Sequence, residues 1–166
     1  MSGDAASVLD TAKPKGIMIA TAESCTGGMI AAAMTDIAGS SAVVDRGFIT
    51  YSNDAEIEML DVSPDLIAKH GAVSEDVVTA MVAGALVNSN ATLAVAVTGV
   101  AGPGGGSDEK PVGLVYIAAG FKGGEMAVKQ CRFDEEGLTE RSDIRKRTVE
   151  VALEMLHDQL TAAPSP

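Results

Sequence analysis

The chain has 166 residues, 46% of them apolar and only 3% aromatic, and carries a formal charge of -11 from 23 acidic and 12 basic side chains. That length and apolar content suit a single domain spanning residues 1–166 and exclude a disordered chain. So acidic a surface repels nucleic-acid backbones and anionic membranes, and the shortage of aromatics, with no Trp, removes base-stacking platforms. A small anionic ligand stays open, because a local set of backbone N–H groups outweighs net charge.

Both ends, residues 1–4 and 162–166, are small and polar and are expected to fray. Residues 5–12 suit a short helix stopped by Lys13-Pro14-Lys15-Gly16, which leaves a core of about residues 16–160. Residues 17–22 form an apolar run bounded by turn signals, the pattern of a buried strand. Over residues 26–37, Met29, Ile30, Ala33 and Ile37 share one helical face. Residues 47–51 predict a second strand, and residues 54–60 and 64–70 two short helices. Ser74 is a good N-cap, with Glu75 and Asp76 facing the positive helix end. The helix after it buries Val77, Val78, Met81, Val82, Ala85 and Leu86. Residues 92–98 make another apolar strand, followed by a glycine-rich loop over 99–107. Residues 112–119 and 125–133 pair as strands across a 120–124 turn. A helix over 137–160 closes the chain, with Ile144, Val151, Met155 and Leu156 inward. Strands that alternate with helices and then follow each other predict a three-layer α/β/α sandwich, its sheet of about five strands mixed but mainly parallel. There is no internal repeat and no dividing linker.

Chemistry concentrates in three segments. Thr21-Ala22-Glu23-Ser24-Cys25-Thr26-Gly27-Gly28 joins a buried strand to a helix, where α/β folds bind ligands. Ser24 there is a candidate nucleophile near unpaired helix N–H groups, which stabilise an oxyanion; equally, Ser24 and Thr26 are the residue types that cap a helix. Cys25 is a rival nucleophile, but the only histidines, His70 and His157, lie far along the chain in predicted helices, so a buried structural thiol suits it better. With Cys131 as the only other cysteine and no CxxC spacing, zinc and redox sites are not expected. The loop Thr98-Gly99-Val100-Ala101-Gly102-Pro103-Gly104-Gly105-Gly106-Ser107 matches neither the P-loop nor the GxGxxG spacing. It presents backbone N–H groups to a ligand or is a flexible surface loop. In Arg46-Gly47-Phe48-Ile49-Thr50-Tyr51-Ser52-Asn53, Tyr51 and Asn53 meet a ligand or form the turn.

These segments occur in order with Gly39-Ser40-Ser41, Gly71-Ala72-Val73-Ser74-Glu75 and Glu109-Lys110-Pro111-Val112-Gly113. Over residues 20–156 the series resembles the CinA C-terminal family, known as PncC when it occurs alone. The resemblance implies a three-layer fold around a five-stranded mixed sheet and hydrolysis of the carboxamide of nicotinamide mononucleotide (NMN), giving nicotinate mononucleotide and ammonia. It implies a serine nucleophile helped by a lysine, with no metal and no cofactor. By that match Ser24 is the nucleophile, and Tyr51 and Arg145 border the site. Thr26, Gly27, Gly28, Asn53, Thr98, Gly99, Gly102 and Gly105 surround the substrate, and the loop over 99–107 lines its nucleotide or oxyanion region. The expected partner is a small-molecule nucleotide, with no nucleic acid and no membrane, in the cytoplasm. The apolar stretches leave room for a homo-oligomer surface.

One position departs from the family pattern: its catalytic lysine corresponds here to Glu56. A desolvated lysine tuned to about pH 7–8 deprotonates a serine well, whereas an ordinary glutamate, with a pKa of about 4.3, is weaker as a base by roughly three units. Loss of such a base costs on the order of 100- to 10,000-fold. Three outcomes follow. Lys110 swings to Ser24, burial raises the Glu56 pKa, or the domain binds a nucleotide without hydrolysing it. A weak but real amidase ranks first.

Overall fold

The computed structural model describes residues 4–164. Among them one sheet has the strand order β2-β1-β3-β4-β5, built from β1 (Ile19–Glu23), β2 (Val44–Ile49), β3 (Leu93–Gly99), β4 (Leu114–Phe121) and β5 (Met126–Arg132). β1 runs parallel to both neighbours, while β4 is antiparallel to β3 and to β5. Four strands therefore point one way and β4 opposes them, giving the expected mixed sheet.

The side chains of β1 and β3 alternate in size, and this sorts the helices. Ile19, Leu93, Val95 and Val97 face a layer made by α1 (Ala5–Ala12), α2 (Met29–Thr35) and α6 (Arg141–Ala162). Ala20, Ala22, Ala94 and Ala96 face α3 (Asn53–Leu60), α4 (Pro64–His70) and α5 (Glu75–Val87). Branched residues fill one face, and the alanines of the other let α5 lie close to the sheet. The expected inward residues of α5 and α6 are all buried. Where α5 crosses the end of α3, Gly84 has no room for a side chain, because a Cβ would collide with the Leu60 carbonyl oxygen. Gly84→Ala is expected to lower stability by about 3 kcal/mol, since both partners are backbone and neither relaxes by changing rotamer. Urea denaturation measures it, and a loss below about 0.5 kcal/mol would contradict so tight a contact.

Several predicted boundaries move for local reasons. Gly27 and Gly28 have φ of +60° and +106°, outside the helical region, so α2 starts at Met29 rather than at residue 26. β2 pairs with β1 from Val44, and the chain has already left the sheet at Thr50. Gly137, at φ +84°, ends a 3-10 turn over Phe133–Glu136 and delays α6 to Arg141. Gly120 and Phe121 belong to β4, which confines the hairpin turn to residues 122–125. At the ends, Asp4 caps α1 by accepting the Ser7 N–H at 2.8 Å, and α6 continues to Ala162. Of the expected frayed ends, residues 1–3 and 165–166 lie outside the described residues.

Candidate active site

The carboxyl ends of β1, β2 and β3 meet at one edge of the sheet. Ser24 N–H donates to the Val97 carbonyl at 3.2 Å, and Thr50 N–H to the Glu23 carbonyl at 2.9 Å. From there β1 leads to α2 on one face and β2 to α3 on the other. Such divergence opens a crevice. A cleft of about 290 Å³ occupies it, lined by Ser24, Cys25, Tyr51, Val73, Arg141 and the loop between Gly99 and Gly105. A larger groove of about 680 Å³, between α2 and α6, contains no serine, cysteine or histidine and lies away from the strand ends.

The turn carrying Ser24 is built by its neighbours. Glu23 is only 1% exposed, and its carboxylate accepts from Thr26 Oγ1 (2.7 Å), Ile30 N–H (2.8 Å) and Ala31 N–H (3.1 Å). A buried carboxylate with this many donors is well compensated. It also occupies the first free N–H groups of α2, so the expected unpaired helix end beside Ser24 is already filled. Gly27 and Gly28 make the turn possible, and a Cβ on Gly28 would lie 3.0 Å from Ile49 Cδ1. Arg145 holds the turn by donating from Nε to the Cys25 carbonyl (2.9 Å) and from Nη2 to the Thr26 carbonyl (3.2 Å). It supports the Ser24 turn and is not among the residues that line the cleft. Cys25 is buried, which pushes its thiol up to about 12. A thiol held protonated there is a poor nucleophile, as expected of a structural cysteine.

The glycine-rich loop forms the opposite wall. A Cβ on Gly99 would meet the Leu114 carbonyl oxygen at 2.9 Å, and one on Gly102 the Val112 side chain at 2.5 Å. Thr98 stands behind the wall, its hydroxyl donating to the Ala72 carbonyl at 3.0 Å. Tyr51 is exposed at the rim, and Arg141 ties it to the loop, donating from Nη2 to Tyr51 Oη (2.7 Å) and from Nη1 to the Gly102 carbonyl (2.6 Å). Asn53 is exposed at the start of α3, which Ser52 caps by accepting the Ala55 N–H.

The two candidate bases are both outside the cleft lining. Lys110 is engaged away from Ser24 in this structure. Its Nζ donates to the His70 carbonyl at 2.6 Å, which fastens the loop to the end of α4, where orphan carbonyls attract a cation. Glu56 sits in α3 only 1% exposed, with Oε2 lacking any hydrogen-bond partner. Burial alone pushes its carboxyl up to about 7. Among the described residues no group of three or more His, Cys, Asp or Glu could hold a metal ion, and no helix is long and apolar enough to cross a membrane.

The model of the CinA C-terminal domain matches residues 3–160. The chain belongs to the CinA C-terminal domain family. This CinA domain is 51% identical over 146 residues to a CinA-like protein of Mycolicibacterium vanbaalenii, a match covering 88% of this chain and 34% of that protein. It thus spans about a third of the length of that relative. With the nicotinamide-nucleotide amidohydrolase PncC of Escherichia coli it shares 46% identity over 147 residues, 89% of this chain and 87% of the relative. Its fold is similar to the crystal structure of the competence/damage inducible protein CihA from Agrobacterium tumefaciens, with a TM-score of 0.89 at 51% identity, covering 95% of this chain and 93% of that one.

Two residues of the CinA domain's site escape a reading of sequence alone. Arg141 precedes Arg145 by one helical turn, and that i,i+4 spacing is the signal that puts both on one face. Glu23 stands inside the Ser24 motif, but only the tertiary packing shows its carboxylate folded back onto α2.

Proposed function

We propose that this domain hydrolyses the carboxamide of nicotinamide mononucleotide, with Ser24 as nucleophile and Glu56 as its base. The supporting observation is the cleft that places Ser24 at a strand end opposite the glycine-rich loop, in a chain that matches most of the length of an amidohydrolase of that name. Ser24 Oγ attacks the carboxamide carbon while its proton passes to Glu56, directly or through one water. The carbonyl electron pair moves onto oxygen, where backbone N–H groups stabilise it. The oxyanion then collapses, the C–N bond breaks, and the proton held by Glu56 leaves with the nitrogen as ammonia. Water, deprotonated in turn by Glu56, attacks the ester, which releases nicotinate mononucleotide and returns the proton to Ser24. A carboxyl near pH 7 suits this cycle because it both accepts and returns a proton at neutral pH.

A second reading, nucleotide binding without hydrolysis, is favoured by one observation: neither Glu56 nor Lys110 lines the cleft with Ser24. One pair of measurements separates the two. With NMN, the amidase releases ammonia in equal amount with nicotinate mononucleotide, whereas a binder is thermally stabilised by NMN and releases none.

A further inference from the structure

Three buried side-chain oxygens have no hydrogen-bond partner among the described residues: Thr21 Oγ1, Thr50 Oγ1 and Glu56 Oε2. Two of them belong to one layer at the Ser24 end of the sheet. Past an irregularity at the start of β2, Arg46, Gly47, Phe48 and Ile49 pair with Ala20, Thr21, Ala22 and Glu23. The Thr50 N–H bond to the Glu23 carbonyl carries that register one residue further and sets Thr50 beside Ser24. Alternation then puts both on the Ala22 and Phe48 side of the sheet, which α3 and α5 cover. Glu56 lies one turn before Leu60 on the inward face of α3, and Leu60 packs into this same layer. Thr21 alternates to the other side, where a Cβ on Gly47 would lie 2.7 Å from its hydroxyl. Ser24 lines the cleft, while Thr50, 0% exposed, is buried behind it.

A buried hydroxyl with no partner is costly, and valine, of nearly the same shape, would fill the space without that cost. Packing therefore gives no reason for a hydroxyl at position 50. Chemistry does, because a hydroxyl both accepts and donates. It suits a place between a serine that must lose a proton and a carboxylate that must gain one. Thr50 Oγ1 and Glu56 Oε2 have no competing protein bonds to break, and catalytic hydrogen bonds often close only around the substrate.

We propose that Thr50 is the proton relay between Ser24 and Glu56, its hydroxyl taking the place of a bridging water. This rests on the amidase reading with Glu56 as base. As Ser24 Oγ bonds to the carboxamide carbon, its proton passes to Thr50 Oγ1 and the Thr50 proton passes to the Glu56 carboxylate. Thr50 is neutral before and after, and Glu56 becomes the acid. The same path run backwards carries the proton from Glu56 to the leaving nitrogen.

The test compares wild type, Thr50→Val and Thr50→Ser in ammonia release from NMN and in urea denaturation. Thr50→Val is expected to lower kcat by about 100-fold or more with KM changed less than about twofold, and to keep or raise the urea midpoint. Thr50→Ser keeps the hydroxyl and is expected to stay within about tenfold of wild type, although loss of a buried methyl lowers its midpoint. A threonine that only packs gives the reverse order, with the valine variant active and the serine variant impaired, and that order would overturn the proposal. A lowered midpoint in Thr50→Val with turnover lost in both variants would overturn it too. The double variant Thr50→Val/Glu56→Gln is expected to lose no more than the worse single one, because both act on one proton; losses that multiply would contradict a shared path. An active wild type with an active Thr50→Val rejects the relay alone. A wild type that releases no ammonia rejects the amidase reading and the relay with it.

Discussion

Glu56→Gln is expected to lower the rate of ammonia release from NMN by on the order of 100- to 10,000-fold, with little change in NMN affinity. Glutamine keeps the shape and cannot accept the serine proton. Ser24→Ala removes the proposed nucleophile and is expected to lose turnover at least as completely, and the double variant no more than the worse single one, because the two are proposed to act in one step. The wild-type profile carries the sign. The proposed base acts as the Glu56 carboxylate, and burial holds its pKa up to about 7, so kcat/KM is expected to rise with pH through about 7 and to level above it. Glu56→Lys introduces the lysine that the family resemblance implies at this position and is expected to retain turnover. Wild-type rates in Glu56→Gln would remove Glu56 from the mechanism, and wild-type rates in Ser24→Ala would remove the serine.

The same carboxyl is expected to make stability depend on pH. In the native state the Glu56 proton is held up to about 7, against an ordinary value of 4.5. Between those values the native state binds more protons than the unfolded chain, so stability falls as pH rises. The loss is absent below about 4.5, grows through this window and is complete above about 7. Its full size is on the order of 3 kcal/mol, because Oε2 has no donor to offset the charge. Glu56→Gln is therefore expected to gain about 1–3 kcal/mol at pH 8 and almost nothing at pH 4.5, read from urea midpoints of both proteins. An equal gain at both pH values would mean that packing rather than charge is responsible.

Taken together, these expectations describe a site kept at some cost to the fold. A buried carboxyl with an unpartnered oxygen destabilises the native state at neutral pH, and such groups concentrate where chemistry needs a shifted pKa. Lys110 shows the contrasting case. As an isolated residue beyond a glycine-rich loop it is a natural candidate base, but its amine already satisfies the His70 carbonyl.

Local rules sufficed wherever one residue acts on its own backbone or on its helical neighbours. The apolar run into β1, the Ser74 cap and the inward faces of α5 and α6 are legible in sequence, since each depends on periods of two or 3.6 and on local capping, whereas the motif around Ser24 is legible only through its resemblance to a family. Where local signals compete, boundaries shift, as with the left-handed Gly27, Gly28 and Gly137 that shorten α2 and α6. The cleft itself depends on residues far apart in the chain. Tyr51 and Arg141 meet across 90 positions and Arg145 reaches Cys25 across 120, and such distant pairs have no signature in spacing. Likewise the identity of Glu56 is plain in the sequence, but its raised pKa comes from burial under packed elements. Composition and local pattern decided the fold class and the order of its elements. Only the tertiary structure decided which charges enter the cleft, because burial and partners are properties of the assembled layers.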